Sequence, residues 1–178
     1  MMHNLTVVRP EGTFFKTSTA DSSVLSPSDK LAILGGRLFN IFENISVEKN
    51  HYKVNFDEQF GDPNRNPWYV YRPHVYVEEV TETPYKMHIY RQEGTVFKTS
   101  TQDSSELSTS EKVEVIGNIY FGVSQYEYEP VSNHYKVTLS GQLGDKKIKY
   151  WYVYAPHISI FRLHIPIVKG IANLSVAA

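Results

Sequence analysis

The chain has 178 residues, a formal net charge of -1 and a sequence pI near 6.7. A protein that neutralises many phosphates is normally basic, so this balance argues against a nucleic-acid partner. Cysteine is absent, which excludes disulfides, thiolate metal sites and a cysteine nucleophile.

The amino terminus, Met1-Met-His-Asn-Leu-Thr-Val-Val8, has no basic segment followed by a long apolar run. No secretory signal is expected, so synthesis is expected to be cytoplasmic. No apolar run approaches the length of a membrane helix, and no membrane partner is expected. The first distinctive stretch is Glu11-Gly-Thr-Phe-Phe-Lys-Thr-Ser-Thr-Ala-Asp-Ser-Ser23. Its hydroxyls and carboxylate suit a hydrogen-bonding loop that contacts a glycan or peptide. They equally suit a loop held in shape by Asp and Ser bonds to nearby backbone, and that structural reading is the one expected. A short turn follows at Ser26-Pro-Ser-Asp-Lys30, where Ser26 and Asp29 have capping-box spacing.

Strands are predicted next. Tyr52, Val54 and Phe56 alternate in the run after Asn50, and Trp68 alternates with Val70 before Pro73-His74. The polar, proline-containing stretch from Val77 to Lys86 reads as a linker. Beyond it the motifs return in order: Glu93 to Ser105, Ser108-Thr-Ser-Glu-Lys112, Asn133-His-Tyr-Lys-Val137, Trp151-Tyr-Val-Tyr154 and Pro156-His157. The chain therefore carries one unit of roughly 80 residues twice. The boundaries expected are 5–80 and 87–162. In the second copy Val113 and Val115 share a face, as do Tyr135, Val137 and Leu139. If Trp151 and Val153 face the core, Tyr150, Tyr152 and Tyr154 line the outside. The short basic run Lys146 to Lys149 reads as a solvated loop. The tail, 163–178, is apolar enough to cover the second unit or to form a homodimer contact, and covering is expected.

The order of features resembles the bacterial SH3-like domain, often called SH3b. The elements that carry the likeness are Phe97-Lys-Thr-Ser-Thr-Gln-Asp-Ser-Ser105, Lys112 to Gly117, His134-Tyr-Lys-Val137, Gly141 to Gly144 and Trp151-Tyr-Val-Tyr154. Phe15 to Ser23, Lys30 to Gly35, His51-Tyr-Lys-Val54, Gly61 and Trp68 to Tyr71 match them in the first copy. More narrowly, the Lys-x-Ser-Thr opening and the Trp-Tyr-Val-Tyr-x-Pro-His ending look like repeat modules attached to peptidoglycan hydrolases. The resemblance implies an all-β fold of two tandem SH3-like barrels. It also implies a non-catalytic module that binds cell-wall peptidoglycan or another polymer, after release from the cytosol.

Chemistry beyond binding is not expected. No Gly-x-Ser-x-Gly elbow, His-Glu-x-x-His or Gly-rich phosphate loop occurs, so no enzyme is predicted. His51 with His74, and His134 with His157, form matched pairs. A metal needs three or four ligands and no acidic residue stands at a diagnostic spacing, so neither metal nor cofactor is expected. His74 and His157 are expected to satisfy an orphan backbone group with a ring nitrogen. The ligand candidates are the outward tyrosines Tyr69 and Tyr71, then Tyr152 and Tyr154. Tyr126 and Tyr128 on the preceding strand join them, with His74 and His157 beside them. The expected partner is a cell-wall glycan or peptide. The competing expectation is an intracellular protein-interaction module: an adaptor, an inhibitor or an assembly subunit.

Overall fold

The computed structural model describes residues 2–56, 67–80, 84–144 and 147–162. Within them the protein is all-β. The first sheet contains β1 (Met2–Val7), β2 (Thr13–Lys16), β3 (Lys30–Ile33), β4 (Leu38–Glu48), β5 (His51–Phe56), β6 (Trp68–Tyr71) and β7 (Val75–Glu79). The second contains β8 (Tyr85–Ile89), β9 (Thr95–Lys98), β10 (Lys112–Val115), β11 (Ile119–Glu129) and β12 (His134–Leu139). After β12 come β13 (Gln142–Leu143), β14 (Trp151–Tyr154) and β15 (Ile158–Arg162). The sheets run β7-β1-β4-β5-β6-β2-β3 and β15-β8-β11-β12-β14-β9-β10, which is one strand order used twice. The short β13 leaves its own sheet and pairs with the outer edge of β7. No helix among the described residues is long and apolar enough to cross a membrane.

Alternation explains the faces. Trp68 and Val70 are buried in β6, and Trp151 and Val153 in β14, while the tyrosines between and after them are partly or fully exposed. In the first core Phe15, Phe39 and Phe56 form a mutual cluster, with ring centroids 4.7 to 5.3 Å apart. In the second, Phe97 contacts Phe121 and Trp151 at 5.1 and 6.2 Å. Such pairs add to plain area burial and suit a small unit with few core residues.

Two details explain residues kept in both copies. Gly12 and Gly94 have φ of 82° and 83°. A Cβ there would lie 2.1 Å from the Ile33 carbonyl oxygen or 2.0 Å from that of Val115, so only glycine fits. Asn50 and Asn133 also take positive φ, which asparagine tolerates. Their carbonyls accept from Arg72 N at 3.1 Å and Ala155 N at 2.9 Å, anchoring the single-turn 3-10 helices Arg72–His74 and Ala155–His157.

The stretch expected to be a linker is strand at both ends, since Val77–Glu79 completes β7 and β8 begins at Tyr85. Burial of Val75, Tyr76 and Val77 outweighs the polar composition that followed them. Of the capping boxes, that of the second copy is better formed: Glu111 accepts from Ser108 N at 3.0 Å and from Ser108 Oγ at 2.6 Å. In the first copy Ser26 Oγ donates to Asp29 Oδ2 at 2.5 Å. The apolar tail lies outside the described residues.

The two sheets meet along a seam of mixed apolar and polar contacts. Val8 and Tyr76, from the first copy, sit in the core cluster of the second sheet. Ile116 N donates to Val8 O at 2.7 Å, and Tyr76 Oη accepts from Gly141 N at 3.0 Å. The buried Arg72 guanidinium donates to Gly144 O at 2.9 Å and lies 5.5 Å from the Tyr52 ring centroid.

Candidate functional site

Each sheet carries the same side-chain cluster on the face opposite its core. Lys16 stands opposite Tyr69, and His51 opposite Tyr71, so these four share that face. Lys98 with Tyr152, and His134 with Tyr154, repeat the arrangement. Lys16 is nonetheless buried because the Ser/Thr-rich loop folds over it, and its Nζ donates to Ala20 O at 2.6 Å. Lys98 Nζ likewise donates to Gln102 O at 2.5 Å. A second lysine, Lys30 or Lys112, holds Ser22 O or Ser104 O at 2.5 Å. Asp21 and Asp103 accept from Ser23 N and Ser105 N at 2.8 and 2.9 Å. The hydroxyl-rich loop is thus clamped in shape by local bonds and two ammonium groups.

Beside each lysine stands a histidine–tyrosine–histidine cluster whose rings meet at tilted or edge-on angles. The Tyr71 ring lies 5.3 Å from His51 and 4.9 Å from His74. Tyr154 lies 5.4 Å from His134 and 5.0 Å from His157. His74 was expected to serve the backbone, but its ring partners are side chains. Arg9 Nη1 and His74 Nε2 are 2.9 Å apart, as are Thr13 Oγ1 and His74 Nδ1. A guanidinium can only donate, so His74 Nε2 is the acceptor; in the neutral ring the proton is on Nδ1, which donates to Thr13 Oγ1. His157 repeats this with Arg91 at 2.7 Å and Thr95 at 2.9 Å. The same arginines are also held by Glu11 and Glu93, at 2.9 and 3.2 Å.

Burial, and then the neighbouring Arg9 charge, lower the His74 pKa to about 4. Burial lowers His157, His51 and His134 as well. All four rings are therefore neutral at pH 7. His51 Nδ1 donates to Lys49 O at 2.8 Å, which leaves Nε2 as an acceptor. That atom is buried and has no hydrogen-bond partner among the described residues.

The neutral His74 makes stability depend on pH. Its folded pKa lies below its unfolded value of about 6.5, so the stabilisation is complete above pH 6.5. It is lost as pH falls from there toward 4, because the unfolded chain binds the proton first. At about 1.4 kcal/mol per pKa unit the loss is about 3 kcal/mol, before solvent screening reduces it. Urea unfolding across pH 7 to 4 should show this decline, and His74→Asn should make it shallower, the remainder coming from His51, His134 and His157. A flat wild-type profile would rule out the neutral ring.

Each cluster opens into a cleft. Arg9, Thr13, Lys16, Asp21, His51, Tyr71 and His74 line the first. In the second, Arg91, Thr95, Lys98, Asp103, His134, Tyr154 and His157 occupy the matching positions. Of the residues expected to bind ligand, Tyr71, His74, Tyr154 and His157 line these clefts, and Tyr69 and Tyr152 stand on the same face beside the lysines. Tyr126 and Tyr128 do not join them. They pair opposite Val137 and Tyr135, and Val137 also stands opposite Trp151, so both share the core's face of the sheet. They are exposed because β11 runs on past the core, where Tyr126 meets Tyr85 at 5.1 Å and Tyr128 meets Tyr135 at 5.1 Å.

Sequence reasoning passed over Arg9, Thr13, Arg91 and Thr95 as site residues. Their signal was present in the retained Arg-x-Glu-Gly-Thr that opens both copies. Among the described residues no group of three His, Asp or Glu side chains could hold a metal ion. Comparison with protein-family models, with curated proteins and with solved structures found no match to this chain.

Proposed function

We propose that the protein is a non-catalytic binding module whose two clefts each take part of a polar polymer, with bacterial cell-wall peptidoglycan as the leading candidate. The observation that carries this reading is the duplicated cleft. A lysine-clamped loop, an arginine and a histidine–tyrosine–histidine cluster recur at matched positions. A purely structural role would need the loop clamps; it would not need an open polar cleft beside them in both copies. The choice of polymer rests on the likeness of the Lys-x-Ser-Thr openings and Trp-Tyr-Val-Tyr endings to bacterial SH3-like repeats, and the two sheets are taken as such units. His74 and His157 have both ring nitrogens occupied by side chains, so neither is free to act as a general base.

Two linked weak sites raise apparent affinity for a polymer well above that of one site. Purified bacterial sacculi should therefore sediment the protein. Replacing Tyr71 and Tyr154 together by alanine should lower the bound fraction about tenfold or more, with melting curves checking that the variant is folded. Failure of the wild-type chain to sediment with sacculi would remove the wall-binding reading.

A further inference from the structure

Between the two matched clefts lies a third, at the seam, and the three share walls. Arg9, Tyr71 and His74 line both the first cleft and the seam cleft. Glu114 lines both the seam cleft and the second cleft. The consecutive residues Arg9, Pro10 and Glu11 run along the same boundary, with Pro10 of the first copy forming part of the second copy's cleft. The seam is pinned by backbone hydrogen bonds and by Tyr76 and Arg72, so this alignment is built into the fold.

We infer that the clefts are one continuous groove, and that a single extended peptide lies through it from the first copy to the second across the seam. The inference rests on the binding reading above and adds the path and the class of ligand. Charges of both signs alternate along the walls: Lys16 and Asp21, then Arg9 and Glu11, then Lys112 and Glu114, then Lys98 and Asp103. A peptide with amine and carboxylate groups can answer both signs, whereas a neutral glycan can answer them only with hydroxyls. The His51 Nε2 atom on the floor of the first cleft needs a donor, and a backbone or side-chain N–H supplies one.

The test is calorimetric titration of the full chain with three probes prepared from sacculi. These are muropeptide monomers, muropeptide dimers joined through their peptides, and glycan strands stripped of peptide. The dimer should bind one per chain and at least about tenfold more tightly than the monomer. Thr109→Trp, at an exposed position that lines the seam cleft and neither matched cleft, should reduce the dimer to monomer affinity while leaving monomer binding unchanged. Two monomers per chain with no gain for the dimer would overturn the continuous groove, while sedimentation with sacculi would still stand. Equal binding of stripped glycan would overturn the peptide assignment.

Discussion

Trp151→Ala should destabilise the protein by about 3–5 kcal/mol, enough to unfold a small unit or leave it marginal. Trp151 is 2% exposed, and its indole packs edge-on to Phe97 in the core of the second sheet. Truncation removes that contact and leaves a cavity that cannot collapse easily, because β12 and β9 flank β14 on both sides. Gly144 adds to the effect, since a Cβ there would touch the indole at 3.6 Å and marks how closely the chain packs over it. Urea unfolding at pH 7 measures the loss. A Trp151→Ala protein that melts with the wild type would mean that the β14 faces are assigned the wrong way round.

Tyr76→Ala should cost about as much and should change the character of unfolding as well. Tyr76 is 1% exposed, is a first-copy residue, and packs against Phe121 at 4.7 Å in the second core. Its hydroxyl donates to Glu78 Oε2 at 2.9 Å and accepts from Gly141 N at 3.0 Å. Burial pushes the phenol well above its ordinary pKa, so it remains a donor throughout the neutral range. Tyr76→Phe keeps the ring and orphans the Gly141 N–H, for a cost of about 1–3 kcal/mol. Tyr76→Ala removes the ring too, for about 3–5 kcal/mol in all. The wild type should unfold in one cooperative transition, which should separate into two once the seam is lost. One transition for Tyr76→Ala, shifted no further than that of Tyr76→Phe, would show that the sheets are coupled by something other than this ring.

Much of the local structure could be read from residue order because its causes are local. Alternating β-branched and aromatic residues around Trp68, Val113, Val137 and Trp151 dictate strands and their inner faces at a period of two. The Asp–Ser spacing in the loop dictates bonds that close within two residues. The retained glycines and asparagines report a backbone conformation that other residues adopt at a cost. The repeat also foretold that whatever Tyr71 and His74 do, Tyr154 and His157 do again.

The tertiary structure decided the rest, because the remaining causes act between residues far apart in the chain. Arg9 reaches His74, and Arg91 reaches His157, only after strands pair across the sheet. Tyr126 and Tyr128 were grouped with Tyr152 and Tyr154 by aromatic type, but register assigns them to the other face. The seam was the least legible feature of all. It is made at positions where the copies differ: Val8 against Tyr90, Arg72 against Ala155, Tyr76 against Ser159. The first copy buries its member of each pair at the seam, whereas Tyr90 and Ser159 are exposed and Ala155 is half-buried. Each of these choices depends on which surface meets which, and that is a property of the assembled sheets rather than of any one stretch of chain.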